Sequence, residues 1–317
     1  MKKLILVVWV VVSGTFLTVP PVEAAFISDS NVMWDSPSID SQGSMPLGNG
    51  DIGINVWTEN ESDLVFYLGK TDAWDDNGSL LKLGKVRVSL PAGTFSASEP
   101  FLQEFRLQDG TIQIDAGQGT AAITVQLWVD PNNPVVQVDI QRASQFDTTV
   151  SIEPWRTARR ELVDRNTDRQ MAFGMRDHPP GTVFVEPDTI VSGETDRILW
   201  YHRNERSTWT ENLTLQGLDP ALPATGTDPL LHNTFGAAVS GTNLVNLNST
   251  TLQTTQASTH QTISVHALTS QTDTAGQWID RLDQQITQTE STSYATRKAA
   301  NDQWWDAYNQ KSYIRIT

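Results

Sequence analysis

The sequence predicts a mainly-β protein, a large two-sheet antiparallel β-sandwich (a supersandwich) followed by a C-terminal helical linker. Three observations support this prediction. Apolar and polar residues alternate in most runs between residues 52 and 267, and turn-forming residues separate these runs. From Trp278 onward the alternation stops, and apolar residues follow the helical period instead.

The alternating runs predict strands with one face on a core and the other on solvent or a second layer. The first run places Ile52, Ile54 and Val56 on one face. The same pattern recurs at residues 64–68, 86–90, 105–107, 112–114, 123–129, 136–140, 150–152, 198–202, 235–239 and 263–267. Many successive strands with few helices between them favour antiparallel pairing, and the sequence predicts roughly twelve to sixteen strands in two sheets.

Two segments interrupt this pattern. Asp109-Gly110 lies between two apolar runs and predicts a tight hairpin turn, because the glycine readily adopts positive φ. Between Arg156 and Asp188 the alternation breaks in a long polar stretch, which we interpret as a functional or covering loop.

The C-terminal stretch, residues 274–310, is predicted as one long helix, with a weak point at residues 287–292, where apolar residues are few. Trp304, Trp305 and Tyr308 lie near its end. We therefore divide the chain into a sandwich at 25–270 and a helical linker at 271–317. We expect it to be the front part of a larger protein.

Residues 1–24 have the pattern of an export signal. Lys2 and Lys3 precede an apolar run, and small residues near Ala24 suit cleavage after that position. The alternative is an uncleaved membrane anchor, but the run is short against the about 20 apolar residues of a membrane span. We expect a secreted or periplasmic protein with no membrane partner after cleavage.

Composition excludes several functional classes. Cleavage would leave 20 basic and 36 acidic side chains, a net charge of −16. This charge disfavours nucleic acid and anionic membranes as partners. The chain has no cysteine, so disulfides, thiolate metal sites and cysteine nucleophiles are excluded. Its five histidines are scattered without paired spacing, so we expect no metal and no cofactor.

The first candidate motif runs from Met45 to Gly53. Three glycines and an asparagine within six residues lead directly into a strand, and no Lys-Ser/Thr of a phosphate loop follows. One interpretation is turn chemistry alone. The other is a backbone-lined rim at which Asn49 and Asp51 face a ligand.

The second motif runs from Leu68 to Gly78 and carries three aspartates beside a tryptophan. It lacks the alternating acids and closing Glu of a calcium loop. Asp72 and Trp74 suit a sugar, because a ring can stack on the indole while carboxylates accept hydroxyl protons. The alternative is a well-capped loop.

The third motif follows a predicted strand and contains His202, Arg203 and Asn204. Alternation places His202 and Asn204 on one face and Arg203 on the other. No nucleophile elbow lies nearby. A single histidine in such a position is more often structural than catalytic, and Arg203 has the alternative of pairing with an acid inside the sandwich.

Several of these segments together resemble a known family. Trp34–Pro37, Met45–Gly53, Lys70–Asp75, Leu80–Val88 and Trp200–Asn204 resemble the N-terminal region of secreted bacterial proteins related to glycoside hydrolase family 95. The closer similarity is to the subgroup called domain of unknown function 5703. The resemblance implies a β-sandwich, a helical linker and then an (α/α)6 barrel that holds the catalytic residues of an inverting hydrolase. The typical substrate of that family is an α-L-fucoside. We assign no catalytic residue, since the resemblance puts those residues in the barrel.

The predicted function is therefore the N-terminal sandwich of a secreted glycoside hydrolase, catalytically incomplete as this chain. Its expected partners are a carbohydrate and the barrel. The alternatives are a stand-alone carbohydrate-binding module and a purely structural domain. The candidate residues of the substrate rim are Asn49, Asp51, Asp72, Trp74, His202, Arg203 and Asn204.

Overall fold

The computed structural model describes residues 27–170, 172–218 and 228–311. The expected export signal at residues 1–24 lies outside the described residues. No described helix is both long enough and apolar enough to cross a membrane.

Most of the described chain consists of β-strands. In chain order they are β1 (Val32–Trp34), β2 (Met45–Gly48), β3 (Ile52–Glu59), β4 (Asp63–Trp74), β5 (Leu80–Ser89), β6 (Phe101–Arg106), β7 (Thr111–Ala116), β8 (Ile123–Val129), β9 (Val135–Phe146), β10 (Thr149–Glu153), β11 (Arg160–Glu161), β12 (Phe184–Val185), β13 (Thr189–Ile190), β14 (Arg197–Arg203), β15 (Asn233–Gly241), β16 (Leu244–Asn248), β17 (Thr251–Thr254) and β18 (Ser258–Gln271).

These strands form two large antiparallel sheets. The nine-stranded sheet has the order β1-β6-β7-β8-β9-β18-β15-β14-β13, and the seven-stranded sheet has the order β16-β17-β10-β5-β4-β3-β2. Within the described residues the two sheets hold sixteen strands, which agrees with the predicted number. The fold class predicted from the alternation, a two-sheet sandwich, is confirmed.

The core lies between the inner faces of the two sheets. In the seven-stranded sheet Ile54 lies opposite Leu68 and Val56 opposite Phe66, and all four side chains are buried. The inner residues of β8 and β9 meet in the same way and belong to the same apolar cluster. Burial of alternate residues on many strands supplies the main stabilising term, because no disulfide is present.

The predicted hairpin at Asp109-Gly110 is confirmed. β6 and β7 pair in register from Phe101 opposite Ala116 to Arg106 opposite Thr111, and Gly110 between them has a φ of +58°. The positive φ explains why glycine occupies this position.

The predicted single helix at 274–310 is wrong in its continuity. The structure has two helices there, α2 (Ala275–Glu290) and α3 (Tyr294–Asn309), and a shorter α1 (Trp209–Leu215) lies earlier in the chain. The break follows the stretch poor in apolar residues. After the break, the Ser293 side chain accepts a hydrogen bond from the Thr296 N–H and so caps the start of α3.

Both C-terminal helices lie on the outer face of the nine-stranded sheet. Trp278 and Leu282 of α2 pack with Leu199 and Ala238 of the sheet. On α3, the Tyr294 hydroxyl accepts a hydrogen bond from the Trp128 indole, with a length of 3.0 Å, and Asn309 donates to the Leu107 carbonyl at 3.0 Å. The linker helices are therefore attached to the sandwich by an apolar contact and several polar ones.

The aromatic residues near the end of α3 form a small cluster. The rings of Trp304 and Tyr308 stack with their centroids 5.4 Å apart. Trp305 lies so close to the hairpin turn that a Cβ on Gly110 would be 2.1 Å from the indole nitrogen. Trp304 and Trp305 are half-buried, whereas Tyr308 remains exposed. The cluster packs back on the sandwich only in part.

The segment from 156 to 188, predicted as a long loop, is a small folded unit. It contains the paired strands β11 and β12 and two short 3-10 helices at Asp168–Gln170 and Phe173–Met175. Its own core is formed by Leu162, Ala172, Met175 and Val183. The unit contacts the sandwich at the end of the β4–β5 hairpin, where the Phe184 carbonyl accepts a hydrogen bond from the Asn77 side chain. Further 3-10 helices lie at Ser41–Gly43 and Gly119–Ala121.

Candidate functional site

The seven residues predicted from the sequence fall in two neighbouring places. Asn49, Asp51, Asp72 and Trp74 lie at the ends of β2, β3 and β4, and the other three follow one another at the end of β14. The two places adjoin, because the Asn204 side chain donates a hydrogen bond of 3.0 Å to the Trp74 carbonyl. The sequence therefore grouped residues that the fold brings to one end of the sandwich.

Asn49 holds the first loop in shape. Its side-chain oxygen, Oδ1, accepts hydrogen bonds from the backbone N–H groups of Asp51 and Ile52 at 2.9 and 2.8 Å. Its side-chain nitrogen, Nδ2, donates a hydrogen bond to the Asp130 backbone carbonyl at 2.7 Å. The side chain thus fixes the turn and ties it to the loop between β8 and β9.

Asp51 and Asp72 share one buried lysine. The Lys70 ammonium donates to a carboxylate oxygen of Asp51 at 2.8 Å and to one of Asp72 at 2.9 Å. The lysine side chain is only 7% exposed, whereas the two carboxylates are 44% and 52% exposed. One ammonium therefore anchors two carboxylates that still reach solvent, and the three groups together carry a net charge of −1.

A groove of about 560 Å³ begins beside this cluster and runs over the outer face of the seven-stranded sheet. Residues on the edge strand, on the middle strands and on β6 line it, namely Pro46, Leu47, Gly48, Asp51, Gly53, Ile54, Asn55, Tyr67, Gly69, Lys70, Thr71, Leu80, Lys82 and Phe105. Trp74 is 40% exposed and lies opposite Leu80 in the β4–β5 hairpin. Predicted rim residues thus lie in or beside a groove large enough for a small ligand.

His202 belongs to a buried polar chain. Its Nδ1 lies 3.1 Å from an oxygen of Asp188, and that same oxygen accepts a hydrogen bond of 2.8 Å from Arg156. The side chains of His202 and Asp188 are each only 2% exposed, and the imidazole stacks on Phe235. The geometry connects the 156–188 segment to β14 and gives His202 a structural role.

Arg203 and Asn204 are likewise occupied by the fold. The Arg203 guanidinium donates to the Thr234 hydroxyl at 2.7 Å and to the carbonyls of Thr272 and Asp273 at 3.0 Å each. The Asn204 amide donates to the Leu230 carbonyl at 2.9 Å as well as to Trp74. Both side chains are buried and join strand ends to the loops around them.

Two buried aspartates, Asp75 and Asp76, lie beneath this region, and neither was among the candidates predicted from the sequence. Burial raises the pKa of Asp75, although N–H groups of Ser79 and Asn77 bind one of its oxygens at 2.7 and 3.0 Å. Burial also raises the pKa of Asp76, against the attraction of Arg206 at 3.1 Å. The Asp-Asp-Asn-Gly-Ser run is the sequence signal of such a turn, in which carboxylates bind nearby backbone N–H groups.

A larger hollow of about 790 Å³ lies on the nine-stranded sheet and contains none of the predicted residues. Its polar side chains, or their immediate neighbours, bond to one another. Thr124 donates to Asp115 at 2.6 Å, and Asp139 lies 2.6 Å from the His260 ring. A polar outer face of this kind is ordinary for an antiparallel sheet, so the groove is the better candidate site. In the described part of the chain, no three His, Asp or Glu side chains converge as a metal-binding group.

Comparisons with known proteins give a family and a distant structural likeness. No curated protein is detectably similar to the chain. The chain is similar in structure to a protein described as "Putative kojibiose phosphorylase from human microbiome", at 9% identity and a TM-score of 0.41. The match covers 88% of this chain and 38% of that one, so the chain spans well under half of the other protein. The model of the family described as domain of unknown function (DUF5703) matches residues 33–314, and the chain therefore belongs to that family.

Proposed function

We propose that the chain is the non-catalytic N-terminal β-sandwich of a secreted protein related to glycoside hydrolase family 95. In this proposal the groove end contributes carbohydrate contacts, and the chemistry belongs to an (α/α)6 barrel elsewhere in the parent protein. The whole protein would be an α-L-fucosidase or a related exo-glycosidase. The observation that carries the proposal is the pair of half-exposed carboxylates, Asp51 and Asp72, held by the buried ammonium of Lys70.

This arrangement suits a sugar for a simple reason. Hydroxyl groups are donors, and each carboxylate keeps acceptor positions beyond those that Lys70 and, at Asp51, the Thr71 hydroxyl use. The lysine fixes both carboxylates before a ligand arrives, so less side-chain entropy is lost on binding. Trp74 adds an exposed apolar ring face nearby.

The same geometry argues against catalysis by this chain. An inverting glycosidase needs an acid and a base on opposite faces of the sugar, about 6.5–9.5 Å apart. Asp51 and Asp72 instead share one ammonium on one side of the groove. Asp75 and Asp76 have raised pKa values, as a general acid requires, but both are buried beneath the surface.

The proposal is tested by assaying the purified chain for both binding and turnover. We expect oligosaccharide binding by calorimetry and no release of sugar from fucosides or galactosides. Replacing Asp51 and Asp72 by Asn together should weaken binding about tenfold or more, since it removes two charged acceptors. Asp280→Asn, on the exposed face of α2, is the matched control and should bind as the parent does. Turnover at enzymatic rates would contradict the proposal.

One observation favours a second candidate, a stand-alone carbohydrate-binding or structural domain. Trp304 and Trp305 are half-buried against one another and the hairpin turn, so α3 already has a place on the sandwich. If the chain is a stand-alone module, it would bind carbohydrate as tightly alone as it does within the parent protein. A domain that depends on the barrel would bind more tightly in the parent protein than alone.

A further inference from the structure

Gly53 and Gly69 form the floor of the groove, and only Gly69, at an irregularity in the pairing of β4 with β5, has a reason within the fold. Gly53 of β3 and Gly69 of β4 lie directly opposite each other on the outer face of the seven-stranded sheet. Neither has a positive φ. A Cβ added to Gly53 would meet nothing within 4 Å, and one added to Gly69 would meet only the Gly53 carbonyl at 3.6 Å, an ordinary contact.

Other glycines in these sheets have clear internal reasons. A Cβ on Gly236 would lie 2.1 Å from the Trp200 carbonyl oxygen, and one on Gly48 would lie 2.7 Å from the Ile52 carbonyl oxygen. Glycine in a strand weakens it, because the residue loses much backbone entropy and has no side chain to pack. The irregular pairing of β4 with β5 accounts for Gly69, whereas at Gly53 nothing inside the described chain offsets that cost. Glycine at such a position indicates close approach by something outside the chain.

The groove walls indicate what kind of object approaches. Gly53 pairs with Gly48 of β2 on one side and with Gly69 of β4 on the other, so the floor presents mainly Cα–H groups to the groove. Tyr67 stands beside it, with the Lys82 ammonium 4.2 Å from the ring centroid. Asp51 and Lys70 close one end. The groove is therefore flat and apolar at its centre and polar at its margins.

A pyranose ring has the complementary form, with apolar C–H faces and hydroxyl groups at its edge. We infer that Gly53 and Gly69 form the floor of a subsite for one pyranose unit of a neutral oligosaccharide. The ring face lies on the two glycines. Asp51 accepts a hydrogen bond from a sugar hydroxyl at one end, and Lys82 donates one to a ring oxygen or hydroxyl at the other. This assignment rests on the proposed function and names the site and ligand class within it.

The charge of the chain favours a neutral sugar over an acidic one. The sequence after the expected cleavage has a net charge of −16, of which the cluster at the groove end contributes −1. An acidic glycan would be repelled. A docked protein segment is the less favoured occupant, because the centre of a protein interface is depleted in charged residues and three of them, Asp51, Lys70 and Lys82, line this groove.

The test fills the floor without disturbing the fold. Gly69→Val adds a β-branched side chain where a Cβ makes only an ordinary contact of 3.6 Å with the Gly53 carbonyl, and Gly53→Ala adds a single methyl group in open space. Gly174→Val is the matched control, because Gly174 is exposed, lacks a positive φ and also has open space around its Cβ position. The probes are maltotetraose, cellotetraose, xylotetraose and 2′-fucosyllactose, titrated calorimetrically into the full chain.

We expect at least one probe to bind the parent chain, and Gly69→Val to raise its Kd about tenfold or more. The Tm of that variant should equal or exceed the parent value, and Gly53→Ala should weaken binding in the same direction. Gly174→Val should leave the Kd unchanged.

Two results would overturn the inference, and they are distinguishable. If Gly69→Val and Gly53→Ala bind a probe within about twofold of the parent, the glycine floor is not the site, while carbohydrate binding and the proposed function stand. If no probe binds the parent chain, the carbohydrate contacts of the proposed function fail and the subsite fails with them.

Discussion

Replacing Arg203 by Met tests whether this predicted rim residue is structural. The methionine keeps most of the apolar stem of the side chain and removes the guanidinium. In the parent chain that group donates to the Thr234 hydroxyl and to the carbonyls of His232, Thr272 and Asp273, and it pairs with Glu205. These contacts join β14 and β15 to the segment that enters α2.

The expected cost follows from what the substitution leaves behind. Arg203 is buried, and the carbonyls it serves lose a charged donor. Each buried polar group left without a partner costs about 1–3 kcal/mol, and the pair with the exposed Glu205 adds little. The costs are not additive, because water can reach part of the site. We therefore expect the free energy of unfolding to fall by about 3–5 kcal/mol.

The assay is urea denaturation of both proteins, followed by circular dichroism and by tryptophan fluorescence. Arg281→Met is the matched control. Its guanidinium binds Ser270 and the Gln271 carbonyl on an exposed helix face, so its loss should cost less than about 1 kcal/mol. A loss below about 1 kcal/mol for Arg203→Met would mean that the guanidinium does not support the fold, and Arg203 would again be a candidate ligand contact.

Three further predictions follow from the contacts described above. Gly69→Val should raise the free energy of unfolding by about 0.5–1.5 kcal/mol, whereas Gly236→Ala should lower it by about 1–3 kcal/mol, as measured by urea denaturation. Burial raises the pKa of Asp75 above its ordinary value of 3.8, so the folded chain binds a proton at higher pH than the unfolded chain and loses stability as the pH rises through that raised pKa. The stability of Asp75→Asn relative to the parent should therefore be greater at about pH 7 than at about pH 4. Gly110→Val should displace the indole of Trp305 and increase quenching of tryptophan fluorescence by acrylamide.

Each of these has a contradicting result. A loss of stability for Gly69→Val would mean that a side chain does not fit there, and a gain for Gly236→Ala would mean that Gly236 is not crowded. A constant difference between Asp75→Asn and the parent across pH would mean that the Asp75 carboxyl titrates alike in the folded and unfolded chain. Unchanged quenching in Gly110→Val would place Trp305 away from the hairpin turn.

The strands were predictable because their burial follows a local period. Ile52, Ile54 and Val56 alternate with small or polar residues, and the structure buries all three. The helix break was only partly predictable. The sequence shows a weak stretch at 287–292, but the cap that starts α3 depends on the orientation of the Ser293 hydroxyl, which composition does not reveal.

The candidate site was harder to predict, because its contacts join distant segments. The motifs placed Asp51 and Asp72 near a rim, yet nothing local shows that Lys70 lies between them. His202 was a rim candidate with a structural alternative, and its partner Asp188, which supports that alternative, comes from a segment predicted as a loop. The open space above Gly53 is likewise a property of two paired strands.

The proposed subsite is tested most directly by mapping the residues that a bound saccharide contacts. Backbone amide spectra of the labelled chain would be recorded with increasing amounts of whichever tetrasaccharide binds by calorimetry. We expect the largest shifts on Gly53, Gly69 and their groove neighbours Tyr67 and Lys82. Shifts confined to the hollow on the nine-stranded sheet, around His260, would contradict the proposed subsite.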